Sequence, residues 1–471
     1  MTNVTQTPAE STETKPASQR LSTSTLVSYG LAEMPVYLST VPILIFVPIL
    51  YSTKFGLEIA AIGAILMASR LLDVVTDPVI GWLSDRTRTR FGRRKPWIAA
   101  GTPLLMLGVY KVFLPSGDVT HWSLFLWLSL LWLGWTMINI PYYSWGAELS
   151  DDYVERTRVT GWRSGFGLVG NMSSVLLPTG AIFVFGFGHS AGEALQIAGT
   201  LAIFLLPLCI GFSLRRVPDT PPRVPAAIPI LKGLRIMWAN GPFKRLLFAF
   251  MLTGTASSIQ TPTFMYFVQD VIEQPEWATP VIAFHFVVNI VALPFWVWLA
   301  SKIDKHKTWM MAVGLMIGAL PCYMLLGSGD IRWLALMLLV VGIAIGNFGA
   351  VSTSMKADVI DLDALRSGED RAGVFFAIWS LGSKFIAAFG AFIALGLLSL
   401  SGYTSQGDNT PQALFGLRAT YSLLPVVFYI AAMLLLIRYP ITAEAHAKLR
   451  SERLRSRSAE DLRVRVEDLQ H

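Results

Sequence analysis

Twelve stretches of this chain are apolar over about 20 residues or more, the length a helix needs to cross a bilayer. They run over residues 25–51, 58–83, 97–115, 122–146, 160–184, 195–214, 242–269, 278–300, 308–327, 332–355, 371–400 and 415–437. Backbone amides in hydrocarbon must be satisfied within the segment itself, so the expectation is an all-α polytopic protein with twelve transmembrane helices. Composition agrees. Of 471 residues, 53% are hydrophobic and only 15% charged, and the mean hydropathy is +0.52. A large soluble enzyme needs far more charge on its surface, which excludes that class.

The net charge of +7 is not a nucleic-acid footprint, because the bases cluster in loops on alternate sides of the spans. One side carries the run from Arg86 to Lys95, then Arg156 and Arg158, Arg215 and Arg216, Lys302 to Lys307, and the tail after Arg438. The other carries Asp118, Glu193, Asp270, Glu273, Asp330 and Asp408. The positive-inside rule then places both termini in the cytoplasm and the protein in the cytoplasmic membrane. Residues 1–22 are polar, without a basic start and apolar core, so the first span is read as directing insertion with no cleaved signal peptide. Cys209 and Cys322 sit in apolar runs, without disulfide or metal spacing. Trp97, Trp122, Trp298 and Trp309 lie near span ends and suit interfacial belts.

The proline-rich stretch RRVPDTPPRVPAAIPILKG, residues 215–233, divides the spans six and six. This gives a polar tail (1–22), a six-helix bundle (23–214), a cytoplasmic connection (215–241), a second bundle (242–439) and a charged tail (440–471). That last tail reads as helical in pattern. The halves repeat weakly. AELSDDYVERTRVTGWRSG from Ala147 corresponds to ADVIDLDALRSGEDRAGVFFA from Ala357, and the basic turn after Gly81 is echoed by ASKIDKHKTW after Leu299. Two similar halves around a long loop suggest a transporter with its site between them.

Chemistry concentrates in residues 69–97, SRLLDVVTDPVIGWLSDRTRTRFGRRKPW. Asp73 and Asp77 are four apart, so they share one helix face, with Thr76 on its flank. Hard oxygen ligands at that spacing suit a small cation or a proton, and Pro78 frees a local carbonyl. The other reading of Asp73 is an ion pair with Arg70. In the fourth span Thr136, Asn139 and Tyr143 form a polar stripe that suits a polar solute or interhelical hydrogen bonds. Glu33, Arg163 and Lys384 stand alone in apolar runs, where each needs a partner and can form a switchable network or a static pair. His285 and Asn289 share a face of the eighth span. In the basic loop, Arg86, Arg93, Arg94 and their neighbours are expected to pair with Asp85, Glu148 or Asp151 and gate the cytoplasmic ends. A membrane enzyme built on DVVTD and DVIDLD is disfavoured by their unlike settings, and no nucleotide-binding loop supports a primary pump.

The motifs SYGLAE, RLLDVVTDPVIGWLSDRTRTRFGRRKPW, TMINIPYYS, GWRSGFG and ADVIDLDALRSGEDRAGVFFAIWSLGSK resemble those of the glycoside–pentoside–hexuronide:cation symporters. This is the melibiose-carrier group within the major facilitator superfamily, and the likeness runs from about Leu26 to Tyr439. It implies two pseudo-symmetric six-helix bundles and a symporter driven by Na+ or H+. Asp73, Thr76, Asp77 and Thr136 become the coupling-cation site, with Asp73 and Asp77 as Na+ ligands if sodium is the ion. Glu33, Asn139, Tyr143, Arg163 and Lys384 fall near the sugar or its charge network. Galactoside carriers of the group have an acid at Asn139, a tryptophan at Tyr143 and often Lys at Ala32, and Trp379 replaces a polar amide of the solute wall. The solute is then a glycoside other than a galactoside, a uronide, or a lysolipid-like amphiphile. No cofactor beyond the coupling ion is implied. The partners expected are a small solute and membrane lipid, with no nucleic acid, around a monomer.

Overall fold

The computed structural model describes residues 20–440, apart from 151, 187–189, 220–234, 236–237 and 368–370. Both terminal tails, and most of the proline-rich connection, therefore lie outside the described residues. Within them the protein is helical, with no strand beyond one isolated bridge between Thr89 and Gly92.

The first span is two helices, Thr23–Gly30 and Glu33–Thr53, and the second is Ile59–Leu71 and Asp73–Arg86. The first half continues with Lys95–Phe113, His121–Glu148, Tyr153–Phe185 and Ala191–Arg216 as spans three to six. Spans seven to twelve are Gly241–Asp270, Ala278–Lys302, Lys305–Ala319 (prolonged by the 3-10 turn Leu320–Leu325), Ile331–Ser367, Ala372–Leu400 and Pro411–Ile437. Eleven spans are long and apolar enough to cross a membrane. The seventh has the length, but Thr, Ser and Gln in its middle lower its hydropathy. Thr253, Thr255, Gln260 and Thr263 are buried, and carbonyls of their own or another helix accept hydrogens from Thr253, Gln260 and Thr263.

Two expected spans are thus interrupted helices, and the breaks matter because they fall beside acids. Pro35 lacks the N–H that would bond the Leu31 carbonyl, and the first span breaks just before Glu33. The second span breaks at Leu72, just before Asp73. The tenth span runs to Ser367 rather than ending near 355.

The two halves pack by one scheme. The first span lies on the fifth and sixth, the fourth on the second and third, and the third on the sixth. Six spans later the same pairs recur: seventh on eleventh and twelfth, tenth on eighth and ninth, ninth on twelfth. The halves meet through the second and eleventh spans, the fifth and eighth, and the first and seventh. Gly63 makes the second-to-eleventh approach possible, since a Cβ there would stand 3.0 Å from the Leu395 Cβ. At the face opposite the termini the halves are hydrogen-bonded: Ser52 with the Tyr266 hydroxyl (2.7 Å), Gln406 Nε2 to the Thr53 carbonyl (2.6 Å), and Thr179 Oγ1 to the Thr279 carbonyl (3.3 Å).

At the other face, that of the basic loops, the principal ion pairs stay inside one half. Arg93 Nη2 meets Glu148 Oε1 at 2.6 Å; Arg94 Nη2 meets Asp85 Oδ1 at 2.5 Å and Glu148 Oε1 at 3.0 Å. In the second half Lys305 binds Asp358 at 2.7 Å. Asp358 corresponds to Glu148 in the internal repeat, and Lys305 comes from the echo of the basic turn, so the weak repeat encodes a repeated ion pair. The turn itself needs Gly92, whose φ of 90° suits glycine and whose missing Cβ leaves room for the Asp219 carboxylate.

Trp309 is not an interfacial residue. It is fully buried, whereas Trp122 and Trp298 are exposed as expected of a belt. His285 is accounted for by a 3.2 Å hydrogen bond between its Nδ1 and the Leu338 carbonyl.

Candidate cation and solute site

The break at Leu72 makes Asp73 the first residue of a helix, and Asp77 follows one turn on. Two carboxylates that close repel each other in a weakly polar interior, so they require cations. Arg70 supplies one, with Nη1 at 3.2 Å from Asp73 Oδ2. Its guanidinium lies 3.2 Å from the centre of the Trp132 ring and 5.5 Å from that of Trp135, which holds it in place. The second cation comes from the other half of the protein. Lys384 Nζ binds Asp77 Oδ2 and stands 3.4 Å from Asp73 Oδ2. Thr136 Oγ1 donates to Asp77 Oδ1 at 3.1 Å. Two acids, two bases and a hydroxyl thus form a balanced cluster that ties the second, fourth and eleventh spans. Stripping one partner from such a buried cluster costs about 3–5 kcal/mol.

Asp73, Asp77 and Thr136 are therefore brought together as the sequence implied. Thr76 stands apart. Its Oγ1 is buried without a partner and lines a pocket of about 230 Å³ beside Ser129 and Trp132, whose polar atoms are also unpaired. Lys384, expected near the solute or in the charge network that neutralises Glu33 and the acids, lies on the two aspartates. A lysine on the eleventh span meets the second span because those two spans form the contact between halves.

A second cluster surrounds Glu33, which is 2% exposed at the break in the first span. Tyr143 Oη donates to Glu33 Oε1 at 2.9 Å, and Arg163 Nε lies 3.9 Å from the same oxygen. The Arg163 guanidinium also lies 4.1 Å from the centre of the Tyr143 ring. Glu33 Oε2 is buried with no hydrogen-bond partner. Next to it, Tyr29 and Tyr142 stack at 4.5 Å and exchange hydrogen bonds, each hydroxyl donating to the other's carbonyl at 3.0 and 2.5 Å. That reciprocal pair clamps the first span to the fourth.

The polar stripe of the fourth span divides between these clusters. Thr136 serves the acids and Tyr143 serves Glu33. Asn139 sits between them, 1% exposed, its amide nitrogen donating to the Trp135 carbonyl at 3.1 Å and its Oδ1 unpaired. Trp379 is 7% exposed and stacks 4.1 Å from Phe250, so it is packed within the second half rather than presented as a wall.

Among the expected gating residues, Arg93, Arg94, Asp85 and Glu148 converge. Arg86 lies 4.0 Å over the Trp82 ring instead of on an acid, and Asp151 is outside the described residues. Sequence reasoning missed the Tyr29–Tyr142 clamp, the Trp132 platform under Arg70, and Lys356. Lys356 stands among Asp358, Asp361 and Asp363, and the tenth span was expected to end one residue before it. Among the described residues, no group of three or more His, Cys, Asp or Glu is placed to hold a metal ion.

Two six-span halves packed by one scheme and tied by a charge cluster are the architecture of a membrane transporter of the major facilitator fold. The chain belongs to the family described as MFS/sugar transport protein, which matches it over residues 28–443. It is 25% identical to an uncharacterised symporter of Synechocystis, over 93% of this chain and 97% of that one. It is 24% identical to the glucuronide carrier protein homologue of Escherichia coli, over 90% and 94% of the two chains. In fold it resembles a bacterial homologue of the human lysosomal transporter Spinster, solved inward-facing and unoccupied. The TM-score is 0.65 at 13% identity, covering 89% of this chain and 98% of that one.

Proposed function

We propose that this protein is a cation-coupled symporter carrying a small glycoside or related polar solute across the cytoplasmic membrane by alternating access. The observation that carries the reading is the bond between Lys384 of one half and the Asp73–Asp77 pair of the other. A Na+ or H+ arriving at Asp77 supplies the positive charge that Lys384 supplies in its absence. Lys384 is then released, and the tie between the second and eleventh spans loosens. Cation occupancy is thereby linked to the separation of the halves. Thr136 Oγ1, already on Asp77, has lone pairs to offer an incoming ion.

The solute adjoins this site along the fourth span, at Asn139 and at the Tyr143–Glu33–Arg163 cluster. Because one helix carries both contacts, ordering it for the cation prepares it for the solute. A coupling of ~1–3 kcal/mol changes solute affinity about 5- to 150-fold, and the effect is reciprocal. The hydrogen bonds at the face opposite the termini support an inward-facing state. The basic loops support cytoplasmic termini. The Arg93–Glu148–Arg94–Asp85 cluster, on that cytoplasmic face, is the gate. The proposed unit is a monomer in lipid.

The test is uptake by proteoliposomes under Na+ or pH gradients, with a solute panel of neutral glycosides, uronides and a lysophospholipid. Full cation-stimulated accumulation in both Asp73→Asn and Asp77→Asn, with unchanged ion dependence, would make these acids structural and sink the reading.

A further inference from the structure

The extended tenth span carries a buried cation that the coupling reading does not use. Lys356 is 7% exposed and lies about 16 Å from the Ser367 end of its helix, at 1.5 Å per residue. Its Nζ stands 4.3 Å from the centre of the Phe376 ring and 4.9 Å from that of Trp379, both on the eleventh span. Among the described residues no carboxylate and no hydrogen-bond acceptor meets it. The acids on its own helix point elsewhere: Asp358 binds Lys305 at 2.7 Å, Asp363 accepts from Asn240 at 3.1 Å, and Asp361 is exposed.

The first half shows what is missing. The fourth and fifth spans correspond to the tenth and eleventh, and a cation on an aromatic ring joins them too, with the positions exchanged: Arg163 of the fifth lies over Tyr143 of the fourth. There Glu33, 3.9 Å from Arg163, supplies the negative charge. Aromatic rings compensate only part of the cost of a desolvated ammonium. A buried lysine with no acid beside it among the described residues is retained against that cost, and an anion arriving with the solute would offset it.

We propose that Lys356 is the recognition point for an anionic group, a carboxylate or a phosphate, on the transported solute, with Phe376 packing against its apolar part. This rests on the transporter reading above and narrows its solute to an acid. Phe376, 52% exposed beside the ammonium, is the ring that turns to admit the anion.

The test is equilibrium binding to the purified full-length protein in lipid nanodiscs, using matched acid and neutral probes. Phenyl glucuronide is compared with phenyl glucoside, and lysophosphatidate with monoacylglycerol. In the wild type at least one acid should bind about ten-fold or more tightly than its neutral partner, a difference of about 1.4 kcal/mol. An advantage for the glucuronide identifies a carboxylate, and one for lysophosphatidate a phosphate. Lys356→Met should bring the ratio close to one without weakening the neutral probe, and Lys356→Arg should restore part of it. Lys356→Met should also melt no lower than the wild type, because it removes an unpaired buried charge.

Ratios near one in the wild type for both pairs would overturn the proposal, as would a ratio unchanged in Lys356→Met. A clear loss of melting temperature in that variant would make Lys356 structural and overturn it too. Cation-stimulated binding of a neutral probe without any preference for its acid would remove the role of Lys356 alone and leave the symport reading standing.

Discussion

The two halves share a packing scheme but handle charge in opposite ways. In the first half every deep base has an acid: Arg70 has Asp73, and Arg163 has Glu33. In the second half Lys384 reaches across to the acids of the first, and Lys356 rests on aromatic rings. The first half therefore holds a surplus of carboxylate that the second half answers. Repeated architecture with unequal charge makes the interface between halves responsive to small cations, because adding one positive charge changes what the second half must provide.

The largest expected effect comes from breaking that exchange. Asp77→Asn should reduce cation-stimulated uptake by about 100-fold. It leaves Lys384 short of its nearest carboxylate, at a cost approaching about 3–5 kcal/mol of stability for a buried pair. Adding Lys384→Met should recover stability but not coupling, which thermal melting and uptake separate. Lys384→Met alone should destabilise, unlike Lys356→Met. Equal stability in the two lysine variants would erase the proposed difference between the halves.

An intermediate effect is expected at the paired gates. Glu148 bonds two buried arginines, whereas Asp358 holds one lysine that is 35% exposed. Glu148→Gln should therefore slow transport about ten-fold with little change in solute affinity, and Asp358→Asn by about two-fold, as exposed pairs contribute less. Single-turnover uptake against equilibrium binding would sharpen this, and equal slowing would make the gates equivalent. The smallest effect belongs to the Tyr29–Tyr142 clamp, which the described part of the second half does not repeat. Tyr29→Phe removes one hydrogen bond, about 1 kcal/mol, and should lower the melting temperature by about 1–2 °C.

The spans were legible because hydrocarbon imposes a length and a composition that can be counted along a chain. Their interiors were less so. Pro35 was visible, but that the first span would break just before Glu33 depended on which carbonyl lost its donor and what could replace it. The tenth span was cut short because Lys356, Asp358 and Asp361 look like a loop in a hydropathy profile. Burial against neighbouring helices, the Lys305–Asp358 pair and the rings under Lys356 keep them helical. Among site residues, Asp73 with Asp77 followed from helical spacing alone, as did Thr136 with Asn139 and Tyr143. Assigning Lys384 to the acids and Arg163 to Glu33 did not, since both bases were equally isolated in sequence.

By itself the sequence determined that this is a twelve-span helical membrane protein in two related halves, with costly charges buried in named spans. Those are local facts, set by one helix and its solvent. Which buried base answers which buried acid was decided by tertiary structure, because partners in different spans are joined by packing and not by spacing. The second and eleventh spans touch, so Lys384 serves Asp77. The fourth, fifth and first spans converge, so Arg163 and Tyr143 serve Glu33. Among the described residues Lys356 meets aromatic rings and no acid, because Asp358 and Asp363 of its own span are turned to Lys305 and Asn240.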